Sequence, residues 1–200
     1  MEENNLYTQM QLDALKEVSN IGAGNAATAL SSMLNQKIDM TVPSVNITLL
    51  NDLLFKIGEE EVYGLVVRVL GDIGGIILLS MEKEAAVNIA SLLTFTDNSV
   101  ITEIGISALC EIGNIVSGSY MNAISKFTGL TIIPTVPAMA NDTLSSILST
   151  AFIESEQYDE NILEIETVFL DSSKNNLGAH FYYVPKPGSL EKILKTIGMN

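Results

Sequence analysis

The sequence predicts an α+β fold. Two repeats of a helix, strand, hairpin, helix plan are related by a pseudo-two-fold axis and share a β-sheet, with two long motif-bearing helices outside it. Three observations predict this. Residues 13–20 (DALKEVSN) recur at 107–114 (SALCEIGN), so that Asp13, Glu17 and Asn20 correspond to Ser107, Glu111 and Asn114 at a constant offset of 94. The same offset carries Thr41-Val42-Pro43 onto Thr135-Val136-Pro137. Each copy is followed by two apolar runs joined by a turn, the pattern of a hairpin. The junction falls at Thr96-Asp97-Asn98-Ser99, giving one domain over 1–200 made of repeat 1 (1–97) and repeat 2 (98–200).

The first helix is expected over 9–34. Spacings of four and three put Asp13, Glu17 and Asn20 within about 60° on one face. Leu12, Leu15, Gly22, Ala26, Leu30 and Met33 gather on the opposite side. Gly22 on the apolar face reads as close packing on a sheet; Gly24, one turn beyond Asn20, reads equally as neutral or as room for a partner's backbone. Residues 37–50 alternate and are rich in Val, Ile and Thr, a strand with Pro43 at an edge or bend. A short helical turn is expected at 51–58, and Glu59-Glu60-Glu61 as a solvated turn. Residues 62–70 and 74–81 form a hairpin, and 82–93 a second helix.

The second half repeats the plan. A long helix over 100–127 sets Ser107, Glu111 and Asn114 against Ile106, Leu109, Val116, Tyr120, Ile124 and Phe127, and Gly129 stops it. A strand is expected at 131–138, a short helix at 142–148, a hairpin from 162–170 and 177–184, and a last helix over 190–197 with Ser189 as its N-cap.

Composition narrows the function. The 200 residues are 47% hydrophobic, enough for one shared core. A formal charge of −14 excludes a phosphate-neutralising nucleic-acid surface and electrostatic docking on anionic lipid. No apolar run is long enough for a membrane span, and the first ten residues are acidic rather than basic. The single cysteine, Cys110, forms no internal disulfide and reads as a packed core thiol. The single histidine, His180, has no companion ligands for a metal and no sequence relation to Cys110 that suggests a dyad. The chain is therefore expected in a reducing compartment, the cytoplasm, without a cofactor or metal of its own.

An Asn amide has no useful basicity, but it accepts one hydrogen bond and donates two, so it can hold a water in a fixed direction. That suits phosphoryl transfer, which depends on positioning and electrostatics. A Glu beside it can dock on a Lys or Arg of the substrate. There is no Gly-rich phosphate loop, and the outward trio contains neither Lys nor Arg. A phosphorylated substrate must bring its own cradle and metal. Asp13 and Glu17 alone make a poor Mg²⁺ pair.

The pattern [Asp/Ser]-x3-Glu-x2-Asn-x22-Pro is met twice: Asp13, Glu17, Asn20, Pro43, then Ser107, Glu111, Asn114, Pro137. With the surrounding SNIGAGNAATAL and GNIVSGSYMNAIS, it resembles the CheC family of chemotaxis response-regulator phosphatases (the CheC, CheX and FliY group), across the whole chain. The resemblance implies a single CheC-like domain that dephosphorylates the aspartyl phosphate of CheY-type response regulators. Asn20 and Asn114 would orient the attacking water, and Glu17 and Glu111 would meet a Lys of the regulator. Asp13 and Ser107 would take a supporting role through a local hydrogen bond, and Pro43 and Pro137 would shape a strand edge. Mg²⁺ would come with the bound regulator. The resemblance also implies a second partner, the receptor deamidase CheD, and two motifs in one chain imply a monomer, whereas CheX has one motif and acts as a dimer. Two alternatives remain: a mainly non-catalytic binding regulator of CheD, and a relative at the flagellar switch. Switch proteins of the FliY type carry a further C-terminal domain, and this chain ends at Asn200, which counts against the latter.

Overall fold

The computed structural model describes residues 7–49, 52, 59–96, 100–157 and 161–199. In chain order the elements are α1 (Gln9–Leu34), β1 (Asp39–Met40), β2 (Ser44–Leu49), β3 (Glu61–Gly71), β4 (Gly75–Glu82), α2 (Lys83–Thr94), α3 (Glu103–Thr128), β5 (Ile132–Pro134), β6 (Ala138–Thr143), α4 (Leu144–Glu154), β7 (Asn161–Leu170), β8 (Asn176–Pro185) and α5 (Ser189–Thr196). The expected turn at 51–58 lies outside the described residues apart from Asp52, which is helical.

Local chemistry sets the ends of the two long helices. Thr8 caps α1 in a reciprocal box with Gln11, and Thr102 caps α3 by accepting from the Gly105 N–H at 3.2 Å. Both helices end on a left-handed residue, Asn35 (φ 48°) and Gly129 (φ 74°). Each is 26 residues long, and both bounds differ by 94 (103−9, 128−34). The bounds of β2 and β6 differ by 94 as well (138−44, 143−49).

All eight strands join one antiparallel sheet in the order β1/β2, β7, β8, β4, β3, β5/β6. The central pair is β4 and β8, with Leu78 opposite Tyr182. The short strands cross over: β1 and β2 from the first half pair with β7 of the second, while β5 and β6 pair with β3 of the first.

Alternation along the strands sorts side chains between two cores. Leu65, Val67, Val69, Ile77, Leu79, Phe181 and Tyr183 pack under α1, α2, α3 and α5. On the other face Val62, Ile76, Leu78, Tyr182 and Val184 meet Ile147, Leu148 and Phe152 of α4. Gly64 admits α4, because a Cβ there would stand 3.0 Å from Ile147 Cδ1. Arg68 clamps the same helix through two hydrogen bonds to Glu154, at 3.0 and 3.1 Å.

Several expectations are corrected. The strand expected at 131–138 is two strands, because Thr135-Val136-Pro137 interrupts it; residues 41–43 interrupt 37–50 in the same way. The helix expected at 142–148 begins at Leu144 and reaches Glu154, since Asp142 and Thr143 finish β6 opposite Val62 and Glu61. Thr143 then caps that helix through the Ser146 N–H at 3.3 Å. Ser189 is not the N-cap of α5: Gly188 takes that place at φ 82°. The buried Ser189 hydroxyl instead donates to Gly74 O and accepts from Gly74 N–H, each at 3.1 Å. Gly22 is closely packed, but against Tyr120 of α3 rather than the sheet.

Candidate functional site

The apolar stripes of α1 and α3 face the sheet and each other, so the opposite stripes face solvent. Leu15, Gly22, Ala26 and Leu30 are buried on α1, as are Leu109, Val116, Tyr120 and Ile124 on α3; Ile106 and Phe127 stay partly exposed. Asp13 and Glu17 are exposed and Asn20 is half-buried; Ser107, Glu111 and Asn114 are all exposed. The structure therefore holds each Glu and Asn one turn apart on a solvent-facing helix side. Among the described residues, none of the side chains of Glu17, Asn20, Glu111 or Asn114 has a hydrogen-bond or ion-pair partner within the chain, so all four are free to engage another molecule.

The first position of each motif does make a local hydrogen bond. Asp13 Oδ1 accepts from Gln9 Nε2 at 3.0 Å, and Ser107 Oγ donates to Glu103 O at 3.1 Å. An acid and a hydroxyl thus serve the same helix turn with opposite hydrogen-bonding sense. Lys16, exposed beside Glu17, has the half-buried Cys110 as its counterpart, so only the first copy carries a cation next to its Glu.

The Thr-Val-Pro tracts hold the chain beside these helix faces. Thr41 N–H donates to Val168 O at 2.9 Å, and Thr41 Oγ1 accepts from Val168 N–H at 3.1 Å. Thr135 N–H donates to Arg68 O at 2.8 Å, and Thr135 Oγ1 accepts from Arg68 N–H at 3.1 Å. In both, the hydroxyl replaces a ladder carbonyl and lets the strand turn away without leaving a donor unsatisfied. Pro43 is buried, and Pro137 lies 3.4 Å from where a Cβ on Gly113 would stand. Gly113 directly precedes Asn114, so the absence of a side chain there brings the tract against the motif. A Cβ on Gly24 would meet only Met40 Cε at 3.9 Å, leaving space around that position. Thr41 and Thr135 recur at the offset of 94 in the sequence, but their anchoring role depends on which strand runs alongside and so shows only in the fold.

Cys110 packs against the helix-covered core, and its burial pushes the thiol pKa up. His180 lies on the opposite sheet face, where its ring stacks on Tyr182 and its Nδ1 is 3.0 Å from Glu166 Oε1. That hydrogen bond holds the Glu166 carboxyl below the usual carboxylate range, against the opposing effect of burial. Among the described residues no group of three or more His, Cys, Asp or Glu side chains is placed to hold a metal ion, and no helix is long and apolar enough to cross a membrane.

Comparison with known proteins returns the same two regions. A family model described as the CheC-like family matches residues 10–47 and 104–139, which contain both motifs and both Thr-Val-Pro tracts. The CheY-P phosphatase CheC of Bacillus subtilis (strain 168) is 33% identical over 196 residues, covering 94% of this chain and 94% of that one. The crystal structure of Thermotoga maritima FliY superimposes with a TM-score of 0.77 at 22% identity, over 98% of this chain and 100% of that one. A chain of the CheX-CheY-BeF3-Mg²⁺ complex from Borrelia burgdorferi gives a TM-score of 0.58 at 17% identity, over 83% and 96%. The fold class is thus an antiparallel sheet backed by long paired helices, shared by chemotaxis and flagellar proteins. Within it, this chain belongs to the CheC-like family.

Proposed function

We propose that this protein is a phosphatase of CheY-type response regulators, hydrolysing their aspartyl phosphate at two sites, one on each long helix. The observation that carries the reading is the pair of unpartnered, solvent-facing Glu/Asn sets at a common offset, in a chain 33% identical to a CheY-P phosphatase. Each site lies on a helix face whose outward trio contains neither Lys nor Arg to cradle a phosphate, so the regulator supplies the pocket, the phosphorylated Asp and the Mg²⁺ beside it. Asn20 or Asn114 enters that pocket and holds a water through its amide, in line with the phosphorus. Glu17 or Glu111 pairs with a Lys of the regulator and fixes the approach. The amide takes no proton; its contribution is orientation, which the loose transition state of phosphoryl transfer rewards.

In this reading the two halves form a duplicated unit about a pseudo-two-fold axis at the β4/β8 pair, acting as a cytoplasmic monomer. The protein also binds the receptor deamidase CheD. The complex of CheX with CheY, BeF3 and Mg²⁺ supports CheY as the partner of a protein with this fold.

Decay of phosphorylated CheY with wild type, Asn20→Ala, Asn114→Ala and the double variant tests the proposal. Wild type is expected to accelerate decay and the double variant to lose at least about a hundredfold of that acceleration, the scale of removing a single positioning group. A double variant as active as wild type overturns the water-orienting role. No acceleration by wild type, with CheD present or absent, overturns the phosphatase reading and leaves CheD binding as the function to measure.

A further inference from the structure

Large apolar side chains exposed among the described residues include two pairs that repeat at the offset of 94: Met10 (67% exposed) with Ile104 (71%), and Val42 (63%) with Val136 (84%). A single exposed aliphatic needs no explanation. Here both pairs repeat with the motifs. Met10 and Ile104 sit on the motif face, one turn before Asp13 and Ser107 and about 10 Å along the axis from Glu17 and Glu111. Val42 and Val136 sit in the middle of the two tracts; Met40, just before the first, lies 3.9 Å from where a Cβ on Gly24 would stand, and Pro137 of the second lies 3.4 Å from where a Cβ on Gly113 would stand. Each tract is fixed on both sides of its Val. Thr41 is bonded to Val168 and followed by the buried Pro43; Thr135 is bonded to Arg68, and Pro137 lies against Gly113. The Val side chain is the one part of the tract pushed into solvent, and the anchors hold it there.

The chemistry of the sites leaves a task for these side chains. An exposed Glu that pairs with a Lys gains little net affinity. An Asn that must hold a water in line needs its partner seated firmly. Apolar contacts that lose water on docking supply that hold, and they are most effective where neighbouring backbone is already fixed. A partner footprint of about 800 Å², roughly 30 Å across, is wide enough to reach from the Glu/Asn pair to the helix turn carrying Met10, about 10 Å along the axis. We propose that Met10 with Val42, and Ile104 with Val136, are the apolar docking contacts of the two sites, seating the phosphorylated receiver domain around the Glu/Asn pair. This rests on the phosphatase reading above and names the surface through which that substrate is held.

The test isolates one site in the full chain. In an Asn20→Ala background, so that the second site works alone, Val136→Asp and Ile104→Asp are compared with Phe95→Asn, a change at a 96% exposed aromatic outside both motifs and both tracts in the sequence. Steady-state turnover of phosphorylated CheY and binding of CheY loaded with beryllofluoride and Mg²⁺ are measured. Val136→Asp and Ile104→Asp are each expected to raise KM and the dissociation constant about tenfold, with kcat within about twofold; Phe95→Asn changes neither. The mirrored Val42→Asp and Met10→Asp in an Asn114→Ala background are expected to behave alike. Unchanged KM and binding overturn the proposal, as does a fall in kcat at unchanged KM or an equal effect of Phe95→Asn. If the background enzyme does not accelerate decay at all, the phosphatase reading falls and takes the docking surface with it. Far-ultraviolet circular dichroism of each variant separates lost docking from lost folding.

Discussion

A Cβ on Gly22 would lie 2.7 Å from the ring of Tyr120, too close for the two helices to keep their spacing. Tyr120 is fully buried between Gly22, Phe181 and Tyr183, and that burial pushes its hydroxyl pKa up to about 12. Gly22→Ala is therefore expected to destabilise the fold by about 1–3 kcal/mol through overpacking, and urea unfolding measures it. Combining it with Tyr120→Leu should give a loss smaller than the sum, because the ring is what the new methyl strikes. At the offset of 94, Gly22 corresponds to Val116 and Tyr120 to Ala26, so the small–large pair of Gly22 and Tyr120 has no like counterpart in the other half. The sequence exposed the site at this scale: helical period alone put Glu17, Asn20, Glu111 and Asn114 outward. Period alone places Asn20 and Asn114 alike, whereas the structure leaves one half-buried and the other exposed. On the far face, the bond from His180 keeps Glu166 ionised below its ordinary range. A lowered folded pKa gives stability that is full above the unfolded value near pH 4.3 and is lost as pH falls through the folded one. His180→Ala is expected to cost about 0.5–1.5 kcal/mol at pH 7 and progressively less as pH is lowered below the unfolded value, read from thermal unfolding across that range.

At the scale of elements, the interrupted strands carry the most information. Proline ends a ladder by lacking an N–H, but the partner strand's own donor then needs an acceptor. Thr41 and Thr135 provide it with their hydroxyls. Thr135→Val, which keeps the shape, is expected to destabilise by about 1–3 kcal/mol if the Arg68 N–H is left unpaired, and to speed hydrogen exchange at that amide more than at its neighbours. Thr41→Val should do the same at Val168. Helix bounds were legible to within a few residues because they are set by nearby groups: Thr8, Thr102 and Gly129 act within one turn. The division of 131–138 was less legible, since alternation continues through Thr135-Val136-Pro137 and only the adjoining strand explains the break. The start of α4 was misplaced for a related reason: Asp142 and Thr143 read as helix-starting residues, but pairing with β3 holds them extended.

For the whole molecule, the order of strands could not be read from the chain. Period-two alternation says which face a residue meets and nothing about which strand is its neighbour. The structure pairs β1 and β2 with β7, and β5 and β6 with β3, so each half completes the other's sheet edge. Residues 1–97 expressed alone are expected to aggregate or stay unfolded, with an unpaired β3 edge and no β7 for β1 and β2. Co-expression with 98–200 should recover soluble complex, which size-exclusion chromatography and circular dichroism would detect. A soluble, folded 1–97 monomer would contradict this dependence. The exchange has a further consequence. Were the two halves separate polypeptides, their mutual completion would depend on encounter and would fail on dilution. Joined in one chain, each meets the other at an effective concentration on the order of millimolar. The protein should therefore hold both helix faces assembled at nanomolar levels, with turnover per chain independent of its own concentration.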